Sequence, residues 1–203
     1  MSDISYLVGD CLYLNITNRC TNQCPFCIRY KSREFNQKYQ LWLEKEPTAD
    51  ELMSDIGDAS KYKQIVFCGY GEPLIRFDVV KEVAKRLATR DPRPATRIDT
   101  NGTANLFWGR NILPELKGSI DFISVSLNAE KAETYDKLCH SFYGPAAYPA
   151  VLDFIKEAKK YIPEVEASIV DLPTVDKEKA RAIADDLGVK FRVRPYYEES
   201  YVR

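Results

Sequence analysis

The chain has 203 residues, 45% of them hydrophobic and 29% charged, with 29 Lys and Arg against 30 Asp and Glu. That balance offers no net basic field to hold a nucleic acid, and no window approaches the ~20 apolar residues of a membrane span. Six cysteines, and an N-terminus with neither a basic start nor a long apolar stretch, point to free or metal-bound thiols in the cytoplasm.

No composition break divides the sequence, so one domain over residues 1–203 is expected. The first β-rich run, 12–17, leads into the loop Cys20-Thr-Asn-Gln-Cys24-Pro-Phe-Cys27. Residues 28–47 form a long link carrying Arg29, Lys31, Arg33, Lys38, Tyr39 and Trp42. It reads either as a solvated connection with one buried Trp or as a cover over a site. Thr48-Ala-Asp-Glu51 has capping-box spacing ahead of Leu52, Ile56 and Ala59. The run 64–68 precedes Gly69-Tyr-Gly71-Glu72-Pro73, and an amphipathic helix is expected over 78–89. The run 95–100, weakened by Arg97, ends in Asp99-Thr-Asn101-Gly102, and 120–126 leads into Leu127-Asn128. Residues 141–149 look like a turn between two helices. A helix over 148–161, a strand over 165–170, a helix over 177–187 closed by Gly188 and a strand over 190–194 complete the pattern. Six units in 203 residues match the ~30 residues of a βα repeat. The fold class is therefore α/β, an incomplete (βα)6 barrel of parallel strands, because eight units need ~250 residues.

In such folds ligands bind at the C-terminal ends of the strands, and every expected strand is followed there by polar or backbone-permissive residues. The C-x3-C-x2-C spacing supplies three thiolates where a closed zinc site wants four ligands. A four-iron cubane held by three cysteines leaves one iron open. The Gly69–Gly71 turn is no P-loop, because its Lys-Ser/Thr is missing, and Glu72 suits an amine-bearing ligand. Ser126 and Asn128 alternate, to bond hydroxyls or, for Asn128, to cap the next helix. Cys11 and Cys68 read as small buried hydrophobes, and Cys139 adjoins His140, the one histidine. Arg192 and Arg194 share a strand face, to clamp a substrate carboxylate or phosphate or to form surface ion pairs.

Together, Cys20-x3-Cys24-x-Phe26-Cys27, Gly71-Glu72-Pro73 and Asp99-Thr-Asn-Gly102 resemble the radical S-adenosylmethionine (SAM) enzymes. The phrases at 14–20, 67–74, 125–129 and 191–194 are most similar to the small TatD-associated radical SAM proteins. The resemblance implies a [4Fe–4S] cluster on Cys20, Cys24 and Cys27, its open iron chelated by SAM, with an external flavodoxin- or ferredoxin-like one-electron donor. It implies that Phe26 lies near the adenine, through its ring or adjacent backbone, and that the backbone around Gly71 and Glu72 receives the methionine amine. Asp99 and Asn101 would help bind the methionyl end, and Ser126 and Asn128 the ribose. The sequence departs from the family pattern at Tyr70, between the two glycines, and at 169–173, where an adenine-contacting pattern is scarcely recognisable.

The expected activity is SAM cleavage to a 5′-deoxyadenosyl radical that abstracts hydrogen from an unidentified substrate. That substrate is either a protein, as for activases, or a small molecule, as for 7-carboxy-7-deazaguanine synthase. The non-enzymatic alternative is a zinc-stabilised binding module with Cys139 or His140 as fourth ligand.

Overall fold

The computed structural model describes residues 2–196. Its centre is a seven-stranded sheet in which an antiparallel strand, β1 (Ser5–Val8), flanks six parallel ones. These are β2 (Cys11–Asn15), β5 (Gln64–Cys68), β6 (Ala95–Thr100), β7 (Phe122–Ser126), β8 (Glu164–Val170) and β9 (Lys190–Arg194), neighbours in chain order. The α/β reading and the six parallel units hold. The edge strand β1 was not expected. Crossovers run through α1 (Ala49–Ile56), α2 (Phe77–Ala88), α3 (Ala104–Trp108), α4 (Ala132–Cys139), α5 (Ala147–Ala158) and α6 (Lys177–Leu187). Among the described residues no helix is long and apolar enough to cross a membrane.

Alternation along each strand divides the sheet into two unlike faces. Leu12, Leu14, Ile65, Phe67, Ile98, Ile123, Val125, Ala167 and Ile169 pack with the helices in one buried core. α2 contributes Val80, Val83, Ala84 and Leu87 to it from one stripe. The capping box on α1 is formed, with Thr48 and Glu51 satisfying each other's backbone N–H. Gly188 ends α6 in the left-handed region, as a C′ glycine does. The other face carries Tyr13, Cys68, Arg97, Asp99, Ser124, Glu166, Arg192 and Arg194, placed there by the parallel register.

Part of this second face is covered. Residues 28–47 include a small hairpin, β3 (Glu34–Phe35) with β4 (Tyr39–Gln40). A separate apolar cluster forms where Tyr6, Leu41 and Tyr70 meet Tyr13, Ile28, Phe35 and Tyr39. Tyr6 is paired with Tyr13 across β1 and β2, and its ring lies 5.3 Å from Phe35 and 5.9 Å from Tyr39. The long link is thus a cover over the helix-free face at its β1–β2 edge. The expected buried Trp is corrected: Trp42 is exposed, under the Arg33 guanidinium, and Leu41 and Leu43 are the buried anchors.

Asn15 locks this cover. It is fully buried, and its Nδ2 donates to Leu41 O at 2.8 Å and Asp3 O at 3.0 Å. An Asn15→Ala chain leaves two carbonyls without their donor, a loss of about 2 kcal/mol. Its Tm should fall by roughly 4–8 °C, and amide exchange over residues 39–43 should quicken at least about tenfold. Unchanged exchange there would show that the cover is held by other means.

Candidate active site

The cysteine loop follows β2 and is fixed from three sides. On the first, Glu72 N donates to Arg19 O at 2.8 Å, and a Cβ on Gly71 would meet Arg19 O at 2.2 Å and Thr17 O at 2.5 Å. Gly69, at φ +113°, has Asn15 Oδ1 2.4 Å from where its Cβ would stand. Gly71 is required by the closeness of this turn to the chain entering the loop and Gly69 by the end of β2 at Asn15 and Ile16, and the intervening Tyr70 packs under the cover. On the second side, Asn101 Nδ2 donates to Thr21 Oγ1 (2.8 Å) and reaches Cys20 Sγ (3.6 Å). The Thr21 and Thr103 hydroxyls meet at 2.7 Å. On the third, Asn22 pairs with Ser141 in an antiparallel bridge, and Gln23 N donates to Cys139 O at 2.9 Å. Asn22 Nδ2 donates to the Tyr135 hydroxyl at 3.1 Å. Arg29 spans the back of the loop, donating to Asn22 O at 2.7 Å and Asn18 O at 3.3 Å.

Glu72 ties the second strand turn to the third. Its buried carboxylate accepts from Leu74 N (3.1 Å), Thr100 Oγ1 (2.7 Å) and Asn101 N (2.6 Å). Hydrogen bonds to a charged group are worth about 1.5–3 kcal/mol each, and removing a carboxylate from water costs several kcal/mol. The opposing effects leave burial ahead, and the Glu72 carboxyl is pushed up to about 7. Sequence reasoning expected a ligand-facing carboxylate; the structure turns it inward as the brace of the Asn101 loop.

Asp99 is held by Arg97 on its own strand, Nε to Oδ1 at 2.6 Å. Asn128 has φ +58° and accepts from Arg194 Nη2 at 3.2 Å, as does Ser126 Oγ at 3.2 Å. Asn128 does not cap α4, whose N-cap is Lys131. Arg192 Nε donates to Glu166 Oε1 at 2.9 Å, and Ser124 Oγ meets the same atom at 2.8 Å. Phe26 lies half-buried in the loop itself. Cys68 belongs to the polar face rather than the apolar core, and burial pushes its thiol up to about 12. Arg97, Ser124 and Glu166 were missed, although Arg97 and Asp99, and Glu164, Glu166 and Ser168, alternate in the sequence as residues of one strand face do.

Three thiols at this spacing fit a [4Fe–4S] cluster, in which each thiolate takes its own iron. Among the described residues no three His, Cys, Asp or Glu side chains gather as one metal ion requires, and His140 is exposed. One tetrahedral ion draws all its donors to one point, whereas thiolates of a cubane each take a separate iron. Buried side-chain atoms without a hydrogen-bond partner, Asn22 Oδ1, Arg29 Nε and Tyr70 OH, stand in or beside this loop and its cover. Burial pushes Cys20 up to about 11 and raises Cys27, while a hydrogen bond with the Cys139 thiol, then burial, raises Cys24. Such thiols stay protonated until a cation displaces the protons. Two hollows of about 230 and 450 Å³ lie elsewhere, beside Ile162 and Val189 and along α4 at Thr134 and Leu138.

The fold is an α/β core whose six parallel strands carry three thiols just past the C-terminal end of the first, the end at which such folds bind ligands. The model of the radical SAM superfamily matches residues 14–187, and the chain belongs to that superfamily, whose enzymes use a [4Fe–4S] cluster and SAM. The tungsten-containing aldehyde ferredoxin oxidoreductase cofactor-modifying protein of Pyrococcus furiosus is 32% identical over 160 residues, covering 76% of this chain and 39% of the relative. Among solved structures, native anSMEcpe with bound AdoMet superposes with a TM-score of 0.65 at 15% identity, over 92% of this chain and 51% of that one. HydG, a maturase of the [FeFe]-hydrogenase, gives 0.63 at 16% identity, over 93% and 42%. The chain thus spans about two fifths of the curated relative and at most about half of these structures.

The raised Glu72 carboxyl makes a signed prediction. Below pH 4.5 it is protonated whether the chain is folded or not; between 4.5 and about 7 only the unfolded chain ionises, so stability falls; above about 7 the loss is complete. The Tm of the metal-free wild type minus that of Glu72→Gln should therefore decline across this window and level off beyond it. A difference that rises with pH would mean the ionised carboxylate is the favoured form.

Proposed function

We propose that residues 1–203 form one radical SAM core in which Cys20, Cys24 and Cys27 hold the [4Fe–4S] cluster and the adjoining rim binds SAM. The observation carrying this reading is the three-thiol loop braced by Gly71, Glu72 and Asn101 at the strand ends. When bound, these groups supply a 5′-deoxyadenosyl radical, formed with one electron from an external flavodoxin- or ferredoxin-like donor, which takes a hydrogen atom from the substrate.

The chain's own residues bind and orient. The hydrogen-bonded frame of Arg29, Asn101 and Gln23 holds the thiols without using them as its main supports. The backbone at Gly71 and Glu72, with Asp99 and Asn101, receives the methionyl end; Ser126 and Asn128, steadied by Arg194, receive the ribose; and Phe26 meets the adenine. The hairpin cover excludes water from the inner face at its β1–β2 edge. Arg192, balanced against Glu166, is the group we assign to a substrate anion.

A small-molecule substrate is favoured over a protein one, because the inner face sets charged and polar side chains side by side on neighbouring strands. The cofactor modification named for the P. furiosus relative agrees with this, and membership of the TatD-associated subgroup rests on the sequence phrases. The cellular setting we propose is the cytoplasm.

Chain reconstituted without oxygen should carry about four irons and four sulfides and cleave SAM under strong reductant. Cys24→Ala should lower cleavage by at least about a hundredfold. Undiminished cleavage by that variant, or one zinc per chain with no sulfide, would overturn the assignment in favour of the binding module.

A further inference from the structure

One thiol next to the cysteine loop has no part in the reading above. Cys139 is the last residue of α4 and is completely buried, yet it lies against Cys24. The backbone brings them together: Asn22 bridges Ser141, Phe142 N donates to Thr21 O at 2.9 Å, and Gln23 N donates to Cys139 O at 2.9 Å. Asn22 and Ser141 thus form a single antiparallel bridge, and beyond it Gln23 N and Cys24 Sγ both reach Cys139 O, which seats Cys24 against the end of α4. The side chains agree. Cys24 Sγ is 3.6 Å from Cys139 O, and Asn128 Nδ2 is 3.6 Å from Cys139 Sγ. Cys20 instead faces Asn22 N at 3.4 Å and Asn101 Nδ2 at 3.6 Å.

We propose that Cys24 and Cys139 form a reversible disulfide in the metal-free chain, which protects Cys24 from irreversible oxidation and bars metal loading until it is reduced. The oxidant is a peroxide. Cys24, half-buried where Cys139 is fully buried, is the sulfur a peroxide reaches; it gives up its proton as it attacks the peroxide, forming a sulfenic acid and one water. The Cys139 thiol then displaces that hydroxyl as a second water, forming the S–S bond. A dithiol reverses the step by exchange and takes the two electrons' worth of oxidation upon itself. A Cys24 sulfur in this bond is no ligand, so the oxidised chain cannot take up a three-cysteine cluster. Without Cys139 the sulfenic acid has no partner at the end of α4 and goes on to sulfinic acid, which a dithiol does not restore. The proposal rests on Cys24 being a cluster ligand only for its consequence; the bond itself is independent of that role.

The test uses the full metal-free chain, exposed to a small excess of hydrogen peroxide, alkylated, digested and mapped by fragmentation mass spectrometry. The six free thiols of the sequence should fall to four, with Cys24 linked to Cys139. Iron uptake after peroxide should drop at least about tenfold and return fully with dithiothreitol. In Cys139→Ser, checked for folding by circular dichroism, peroxide should leave Cys24 as sulfinic acid and uptake should not return. Cys139→Ala provides the same comparison if the serine chain does not fold. A dominant link among Cys20, Cys24 and Cys27, or uptake in the Cys139 variant that recovers as in the wild type, would overturn the proposal. If wild type forms the link but never takes up iron even when untreated, the cluster assignment fails and the disulfide stands.

Discussion

A turn with no room for a side chain governs this molecule. The backbone at Gly71 lies so close to the loop after β2 that a methyl group there would collide with two carbonyl oxygens, those of Thr17 and Arg19. Because the two backbones touch, the Glu72 N–H can bond Arg19, and the Glu72 carboxylate is carried inward to the end of β6. From there it fixes Thr100 and Asn101, and the Asn101 amide in turn reaches Thr21 and Cys20 in the cysteine loop. The circuit closes on itself: loop, turn, third-strand end, loop. A side chain at residue 71 would open it at its tightest point.

The inner face of the sheet follows a different logic. Small parallel barrels fill their interiors with branched apolar side chains, and buried ion pairs rarely stabilise a fold more than apolar residues of the same volume would. Here Arg97 and Asp99, and Arg192 and Glu166 with Ser124, occupy positions where Val or Ile would pack. Stability does not account for that choice; the polar ligand proposed above would. Each charge is balanced by a neighbour on the same or an adjacent strand, so the face carries oriented donors and acceptors at little cost while it waits for one.

Much of this was legible in the sequence because the signals were local. Three of the expected strands, over 64–68, 95–100 and 190–194, match the observed bounds, as does the α6 range of 177–187 closed by Gly188. The capping box at Thr48 and the grouping of the strand-end loops were likewise readable, since they depend on period and spacing. What escaped depends on contacts distant in sequence. β1 is too short to signal itself, and its place follows from antiparallel pairing with β2. One of the two readings of the link buried Trp42, but Asn15 and Asn18 grip the backbone at Leu41 and Leu43 and the ring stands outward. Glu72 was read as facing a ligand because no local pattern reveals that Thr100 and the Asn101 amide wait for it on the next strand.

The supports of the cysteine loop bear on how it accepts a metal. In small metal-folded domains the ligands are ordered by the ion itself, and binding free energy is folding free energy. In this chain the loop is ordered by groups other than its thiols: Arg19 on Glu46, Thr21 on Thr103, Asn22 on Tyr135, Gln23 on Cys139 O. These bonds hold the loop independently of its thiol groups. The thiols keep their protons, because burial holds Cys20 and Cys27 neutral, and the Cys139 contact does the same for Cys24. If these three thiols hold the proposed cluster, each must lose its proton to do so, and part of the Fe–S bonding free energy would go to deprotonation.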